Sequence, residues 1–273
     1  MAEDGPAQRS RVRPDLATLL GLALALGGIL GGLVLEHGKL QDVMAPTALL
    51  IVLGGTAGAV LVATPMRSVI RAGRGLFHVL TDRSQPSDAL MEQIVEFATR
   101  ARKNGVVSLE EEAAGLPDPF LRKALTLAVD GVDLQELRRM MELEIDVEEH
   151  DVDEQARVFE SAGGYAPTIG IIGAVIGLIQ VMKDLADIDR VGQGIATAFV
   201  ATIYGVGFAN VIFLPAAAKI KARARERLRT QELILEGVSS IVEGLNPKMI
   251  RNKLEAYCHT AAVAKPEPPA EGS

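Results

Sequence analysis

The chain has 273 residues and a formal net charge of −7; 48% of its residues are hydrophobic and 23% are charged. The hydrophobic residues lie in blocks, which indicates a membrane protein with water-exposed parts. The negative charge argues against a nucleic-acid partner. The single cysteine, Cys258, cannot form an internal disulfide, and the four histidines lack metal-ligand spacing, so no metal or cofactor is expected.

Four stretches without charged residues or histidine are long enough to cross a bilayer, which needs roughly 17–25 residues per helix. They are Leu16–Leu35, Pro46–Met66, Tyr165–Met182 and Ile195–Ala218. A signal peptide is the alternative for the first stretch, but its apolar core exceeds the usual roughly 7–15 residues and no A-x-A-like site closes it. The sequence therefore predicts an all-α membrane protein with four transmembrane helices and a helical cytoplasmic domain between spans two and three.

Basic clusters at the span ends predict the orientation, because Lys and Arg are enriched on the cytoplasmic side. The clusters are Arg9, Arg11 and Arg13; Arg67, Arg71 and Arg74; and Lys219, Lys221, Arg223, Arg225 and Arg227. Both termini are thus expected in the cytoplasm. The expected parts are a cytoplasmic N-terminus (1–15), a transmembrane hairpin (16–66), a cytoplasmic domain (67–161), spans three and four (162–218), and a C-terminal helix with a disordered tail (219–273).

Helix signals fill the first half of the cytoplasmic domain, and no alternating strand pattern appears in the chain. Ser87 begins a helix that ends before Gly105. Ser108 and Glu111 have the spacing of a capping box for a short second helix.

Two further helices are expected in the second half of this domain. Asp118 is an N-cap followed by Pro119 at the first helical position, and Gly131 ends that helix. Asp133 opens a long helix that carries the acidic run Glu142–Glu154. We expect this run to be a solvated face.

Small residues recur at helical spacing in every span. One face of span three carries Gly170, Gly173, Ala174 and Gly177. One face of span four carries Ala198, Thr202, Gly205 and Ala209. Spans one and two contain Gly28-x-x-x-Gly32 and Gly54-x-x-x-Gly58, which are close-packing patterns in membranes. For spans one and two we expect packing within one four-helix unit; for spans three and four, such packing and room for a helix of another subunit both stay open.

Spans three and four contain polar groups but no carboxylate, amine or imidazole. An ionisable residue inside a membrane usually marks a proton relay. A pathway lined by this chain would offer hydroxyls and water, and the proton carrier would come from another subunit. Pro167 and Pro215 are hinge candidates because proline removes a helix hydrogen bond, although Pro167 could also be a helix-start cap. No nucleophile–base pair or phosphate-binding loop appears, so an enzyme is not expected.

Three stretches resemble the MotA family of flagellar stator subunits, within the wider MotA/TolQ/ExbB group. They read APTIGIIGAVIGLIQVM, GIATAFVATIYGVGFANVIFLPAAAKIK and PFLRKALTLAVDGVDLQELRRMMELEID. The resemblance covers roughly Leu16 to Asn252. It implies a homopentamer around a MotB-type single-span partner, which supplies the proton-carrying aspartate and the peptidoglycan anchor. It also implies that ion flow turns a rotor containing a FliG-type switch protein.

The resemblance also assigns roles to single residues. Arg102 and Glu110 match the rotor-contact charges of an R-x-x-G-x-x-S-L-E pattern, and the alternative is a solvated surface pair worth about 0–1 kcal/mol. Pro167 and Pro215 match prolines linked to torque. We expect the ion pathway to include Ala174, Thr202 and Tyr204. Sodium-driven relatives tend to carry threonine where this sequence has Ala174, and the missing oxygen ligand favours protons.

Two rival functions remain at this point. A TolQ/ExbB-type energiser would couple the same ion flow to an outer-membrane process, but those relatives resemble three-span proteins, whereas this chain has a two-span hairpin before its long loop. A packing scaffold that conducts nothing is the second rival.

Overall fold

The computed structural model describes residues 13–79, 81–82, 87–183 and 185–259. The arginines at positions 9 and 11, the C-terminal tail and the side chain of Cys258 lie outside this description. The described residues are almost entirely helical, and four of the helical segments are long and apolar enough to cross a membrane. The fold class predicted from the sequence is therefore confirmed.

The chain forms two compact units. The span unit lies within residues 11–82 and 151–223, and the loop unit lies within residues 1–10, 83–150 and 224–273. The described α-helices, in chain order, are α1 (Leu16–Leu35), α2 (Pro46–Ala63), α3 (Met66–Val79), α4 (Ser87–Asn104), α5 (Glu110–Ala114), α6 (Pro119–Val129), α7 (Leu134–Lys183), α8 (Ile188–Gly207), α9 (Leu214–Val242) and α10 (Pro247–His259). Helices α7 and α9 contribute residues to both units.

The first two spans begin and end at clear local signals. Asp15 caps α1, its carboxylate accepting hydrogen bonds from the backbone N–H groups of Ala17 and Thr18. The second span ends at Ala63, three residues earlier than expected. Thr64 is extended, with φ −134° and ψ 137°, because the proline that follows disfavours a helical conformation in the residue before it.

The third span is not a separate helix. Helix α7 runs without interruption for 50 residues and joins the predicted long cytoplasmic helix to the predicted span. Pro167 consequently lies inside α7, and the cap interpretation of this proline is wrong. Four residues before this proline, buried Gly163 packs against Leu214.

The fourth span contains an irregular turn. Helix α8 is followed by a π-helical turn, Phe208–Phe213, and α9 begins at Leu214. The N–H of Leu214 donates to the carbonyl of Ala209, a spacing of five residues. Pro215 follows directly and has no N–H of its own to donate, so the regular hydrogen-bond ladder is interrupted at this point.

Caps in the loop unit agree with the sequence at one helix and differ at another. Asp118 accepts hydrogen bonds of 2.9 Å from the N–H groups of Phe120 and Leu121 at the start of α6. Ser108 does not cap α5; its hydroxyl donates to the carbonyl of Gly105 at 2.7 Å. A 3₁₀ turn at Val106–Leu109 occupies the place of the expected cap, so the predicted capping box is wrong.

Helices α4, α5, α6, α7, α9 and α10, together with the Val106–Leu109 turn, share one hydrophobic core in the loop unit. Its largest fully buried side chains are Ile94, Leu109, Leu121, Leu125, Leu137, Met141, Leu233, Ile234, Ile250 and Leu254. In the span unit, Arg13–Pro14 and Thr81–Asp82 pair as a two-residue antiparallel ladder. A strand of two residues is too short to show an alternating pattern, so no strand could be predicted from the sequence.

Candidate functional site

The small-residue faces of α7 and α8 pack against each other. A methyl group on Gly170 would lie 2.9 Å from the carbonyl oxygen of Ala201, and one on Gly173 would lie 3.0 Å from the Cβ of Ala201. A methyl group on Gly177 would lie 3.1 Å from the Cβ of Ala198. Since all three glycines are buried, this face serves packing within the chain and has no space for a helix of another subunit.

Ala174 and Thr202 lie at the edge of this interface and are half-buried. The hydroxyl of Thr202 makes a long hydrogen bond of 3.4 Å to the carbonyl of Ala198, one turn earlier in α8. Around them, large apolar side chains are exposed on α7 and α8, including Ile171, Val175, Leu178, Phe199, Ile203 and Val206. The surface open to another molecule is therefore formed by these side chains rather than by glycine.

The glycine patterns of the first two spans are open within this chain. Added methyl groups at Gly28, Gly32, Gly54 and Gly58 would meet no atom within 4 Å. The expectation that these glycines pack inside one four-helix unit is wrong. The close contact of α2 uses Gly55 instead, where a methyl group would lie 2.7 Å from a side-chain carbon of Ile169. Helix α1 buries no residue at all.

The hydroxyl of Tyr204 binds backbone groups of the connection between α1 and α2. It donates to the carbonyl of Val43 at 2.6 Å and accepts from the N–H of Ala45 at 3.3 Å. The ring is partly buried and packs near Phe208, with ring centroids 6.0 Å apart. Both bonds cross about 160 residues of sequence, and they attach this connection to α8.

Of the two predicted hinge prolines, Pro167 lies at a close contact between two helices and Pro215 follows an irregular helical turn. A methyl group on Gly205 would lie 2.5 Å from the carbonyl oxygen of Ala166 and 3.2 Å from the Cα of Pro167, so α8 closely approaches α7 at this proline. Pro215 follows the π-helical turn. Within that turn, the side-chain amide of Asn210 donates to the carbonyl of Val206 at 2.9 Å and so satisfies one backbone acceptor.

A partly buried ion cluster at the start of α1 was not expected from the sequence. The carboxylate of Asp15 lies 2.5 Å from the amine of Lys219 and 3.3 Å from the guanidinium of Arg223, and its side chain is 7% exposed. The hydrogen bond from Lys219 is the largest cause that holds the pKa of Asp15 well below its usual range. The sequence signal that could have indicated this cluster is the position of Asp15, an acidic residue directly before an apolar span and close to basic residues.

The acidic run of α7 is only in part a solvated face. In the loop unit, Glu148 accepts from Arg227 at 2.8 Å and from the amide of Gln231 at 2.7 Å. In the span unit, Asp151 pairs with Arg71 at 2.7 Å, and Glu154 accepts from the hydroxyl of Ser68 at 3.2 Å. Several acidic residues of this run thus bind side chains of neighbouring helices by ion pairs and hydrogen bonds.

The two predicted rotor-contact residues lie on exposed positions of the loop unit. Arg102 is in the last turn of α4, and Glu110 is the first residue of α5. Between them Gly105 has φ +84°, a conformation that favours glycine. Among the described residues, neither charge is engaged in an ion pair. The described residues contain no cluster of three or more His, Cys, Asp or Glu side chains that could hold a metal ion.

Comparison with known proteins identifies the family. The sequence pattern of the MotA/TolQ/ExbB proton channel family matches residues 112–232, and that of the motility protein A N-terminal region matches residues 19–105. Motility protein A of Bacillus subtilis is 35% identical over 245 residues, covering 89% of this chain and 90% of the relative. Chemotaxis protein PomA of Vibrio alginolyticus is 31% identical over 243 residues, covering 89% and 95%.

Solved structures agree with this result. The structure of C. jejuni MotAB contains a chain that is 31% identical, with a TM-score of 0.86, covering 94% of this chain and 99% of that one. The flagellar MotAB stator complex from Bacillus subtilis gives 33% identity and a TM-score of 0.83, covering 90% and 98%. Both halves of the chain match in sequence, and the whole fold matches in structure. The chain belongs to the MotA/TolQ/ExbB proton channel family, in its motility protein A branch.

Proposed function

We propose that this chain is a flagellar motor stator subunit that works with a MotB-type partner to couple proton flow across the inner membrane to rotation of the flagellar rotor. The match to motility protein A and to MotAB stator chains over about nine-tenths of the sequence carries the proposal. The chain acts as part of an ion-driven machine and not as an enzyme.

A partner is required for ion transport because the predicted third and fourth spans contain no carboxylate, amine or imidazole. The MotB-type subunit supplies the proton-carrying aspartate and the attachment to peptidoglycan. Its span would pack on the exposed apolar side chains beside Ala174 and Thr202, since the glycine face is occupied by the α7–α8 contact. Several copies of this chain, as a pentamer, would surround the partner.

The ion is a proton in this proposal. Position 174 is alanine, so α7 offers no hydroxyl there, and Thr202 in α8 keeps one. A sodium ion needs several oxygen ligands, and each missing hydroxyl weakens such a site. The role of Tyr204 in the pathway stays a prediction; its hydroxyl already has two backbone partners.

Force transmission is assigned to the loop unit and to the prolines. Arg102 and Glu110 are exposed, lie close in sequence to the Gly105 bend, and would meet a FliG-type rotor protein. Pro167 and Pro215 would permit the bending that accompanies each step. Basic clusters at Arg67, Arg71 and Arg74 and after the fourth span support cytoplasmic termini.

The TolQ/ExbB-type alternative is not favoured. The motility protein A N-terminal pattern matches residues 19–105, which include α2 and all of α1 except its first three residues. The relatives carry the names motility protein A and chemotaxis protein PomA.

The test is swimming speed in cells whose stators all contain this subunit together with its own partner. We expect no swimming without the subunit, unchanged speed when sodium is replaced by potassium, and loss of swimming when a protonophore is added. Speed that follows the sodium concentration would overturn the choice of ion. Normal swimming in cells that lack this subunit and every other stator would overturn the stator assignment itself.

A further inference from the structure

Arg100 links the two short segments that carry the proposed rotor contacts. It lies on α4, two residues before Arg102, and its guanidinium binds the carboxylate of Glu112 on α5. The same guanidinium also binds Glu96, one turn earlier on α4, at 2.6 Å. Glu112 lies two residues after Glu110 on α5. One arginine therefore joins the helix of Arg102 to the helix of Glu110.

The backbone between these helices is held on its inner side by the core. Leu109 and Ala113 are buried, and they belong to the same hydrophobic core as Phe97 and Ala101 of α4. On the outer side, α4 and α5 border a shallow groove of about 350 Å³, whose walls include Glu96, Arg100 and Glu112. Arg100 and Glu112, which form the ion pair, both line this groove. Apolar packing holds the inner side of the junction, and the ion pair bridges its outer side.

We infer that Arg100 is a positioning residue that fixes how Arg102 and Glu110 are presented to the rotor, an inference that rests on the proposed function. Arg100 itself need not touch the rotor. Its guanidinium is planar and rigid, and it binds two carboxylates at once, so it defines an orientation between α4 and α5. Without it, α5 keeps its buried side chains but gains freedom on the outer side.

An isolated exposed ion pair usually adds little to stability, so the effect is expected in function and in local motion rather than in folding. Two observations favour a positioning role for the Arg100–Glu112 ion pair. The arginine is shared between Glu96 on its own helix and Glu112 on the next one. The segment it braces, from Arg102 to Glu110, is bounded by two exposed charges that have no intrachain ion pair among the described residues.

The experiment measures torque per stator unit on tethered beads, with the number of units at the motor counted by fluorescence. We expect Arg100→Glu to assemble but to lose torque per unit, and Arg100→Glu with Glu112→Arg to regain it. Lys123→Glu is the matched control, because Lys123 pairs with Glu144 in the same unit at similar exposure (46% and 38%, against 46% and 32%). This control should keep full torque.

Hydrogen exchange of the purified complex gives a readout that is independent of the rotor. We expect amides of residues 105–114 to exchange about two- to fivefold faster in Arg100→Glu and to return to the original rate in the swapped pair. If the reversed charge prevents assembly, Arg100→Gln is used, with the same expected loss of torque and faster exchange. Unchanged torque and exchange in the Arg100 variants would overturn the inference.

Charge reversals at Arg102 and Glu110 distinguish a failure of the rotor-contact assignment from a failure of the positioning role of Arg100. If these reversals lose torque and the Arg100 variants do not, only the role of Arg100 is overturned. If the reversals at Arg102 and Glu110 leave torque unchanged, the rotor-contact assignment fails and the inference falls with it. A swapped pair that stays as weak as Arg100→Glu would also overturn the inference, because pairing would then not be what matters.

Discussion

Gly170 of α7 and Gly205 of α8 lie back to back: a methyl group on Gly205 would come within 3.0 Å of the Cα of Gly170, and one on Gly170 would come within 3.2 Å of the Cα of Gly205. The two helices approach so closely that backbone meets backbone. Glycine at both positions is thus a packing requirement, because neither helix can withdraw without losing the adjacent contacts of Gly173 and Gly177.

Gly205→Ala should destabilise the complex by about 1–3 kcal/mol, the usual cost of overpacking a close contact. The added methyl group would lie 2.5 Å from the carbonyl oxygen of Ala166, and backbone cannot yield as a side chain can. The measurement is thermal unfolding of the purified complex. Gly164→Ala is the control, since no atom of this chain would lie within 4 Å of its added methyl group. Equal melting temperatures for the two variants would contradict the packing requirement.

Tyr204→Phe should lower the free energy of unfolding by about 1–3 kcal/mol, because it leaves the carbonyl of Val43 and the N–H of Ala45 without their shared partner. If the hydroxyl serves only this attachment, swimming at moderate temperature should persist and should fail at a lower temperature than in the wild type. A variant with full stability but no ion-driven rotation would instead place the hydroxyl in the pathway.

Asp15→Asn should remove a pH-dependent part of the stability. The pKa of Asp15 is lowered in the folded state, chiefly by the hydrogen bond from Lys219, so its contribution is present above about pH 4 and is lost as the pH falls further. Asparagine keeps the cap of α1 but not the charge. We expect a loss of about 1–3 kcal/mol at pH 7 and a smaller difference from the wild type below pH 4. A difference that does not change with pH would show that the ion pairs to Lys219 and Arg223 contribute nothing.

Asp118→Ala should cost about 1 kcal/mol, since two N–H groups of α6 lose their acceptor. Ser108→Ala should cost less, because its exposed hydroxyl donates to the carbonyl of Gly105 and caps no helix. Chemical denaturation of the purified complex compares the two variants. A larger effect at Ser108 would restore the capping box that the structure replaces with a 3₁₀ turn.

Local signals predicted the helix ends that depend on a few neighbouring residues. The bounds of α1 and α4, and the cap of α6, follow from capping residues, glycine and the length of the apolar run. The family resemblance, carried by motifs in α6 through α9, is confirmed over nearly the whole chain.

Features that depend on tertiary contacts could not be predicted in this way. Pro167 suggests a hinge or a helix start, yet α7 continues through it and packs there against Gly205 of α8. Glycine spacing alone could not distinguish Gly55, which contacts Ile169, from Gly54 and Gly58, which are open. The partner of Asp15 lies about 200 residues away in the sequence, beyond the reach of any local pattern.

The π-helical turn at Phe208–Phe213 changes the direction in which the later side chains of the fourth span point. A π turn closes its hydrogen bond over one more residue than an α turn, so every side chain after it is rotated by about 100° from where an uninterrupted helix would place it. Lys219 and Arg223 are one helical turn apart and share this rotation, which brings both to Asp15. Deleting one residue from the turn would keep the span helical but would direct both cations away from that carboxylate. The number of residues in this turn therefore determines the salt bridge as much as their identity does.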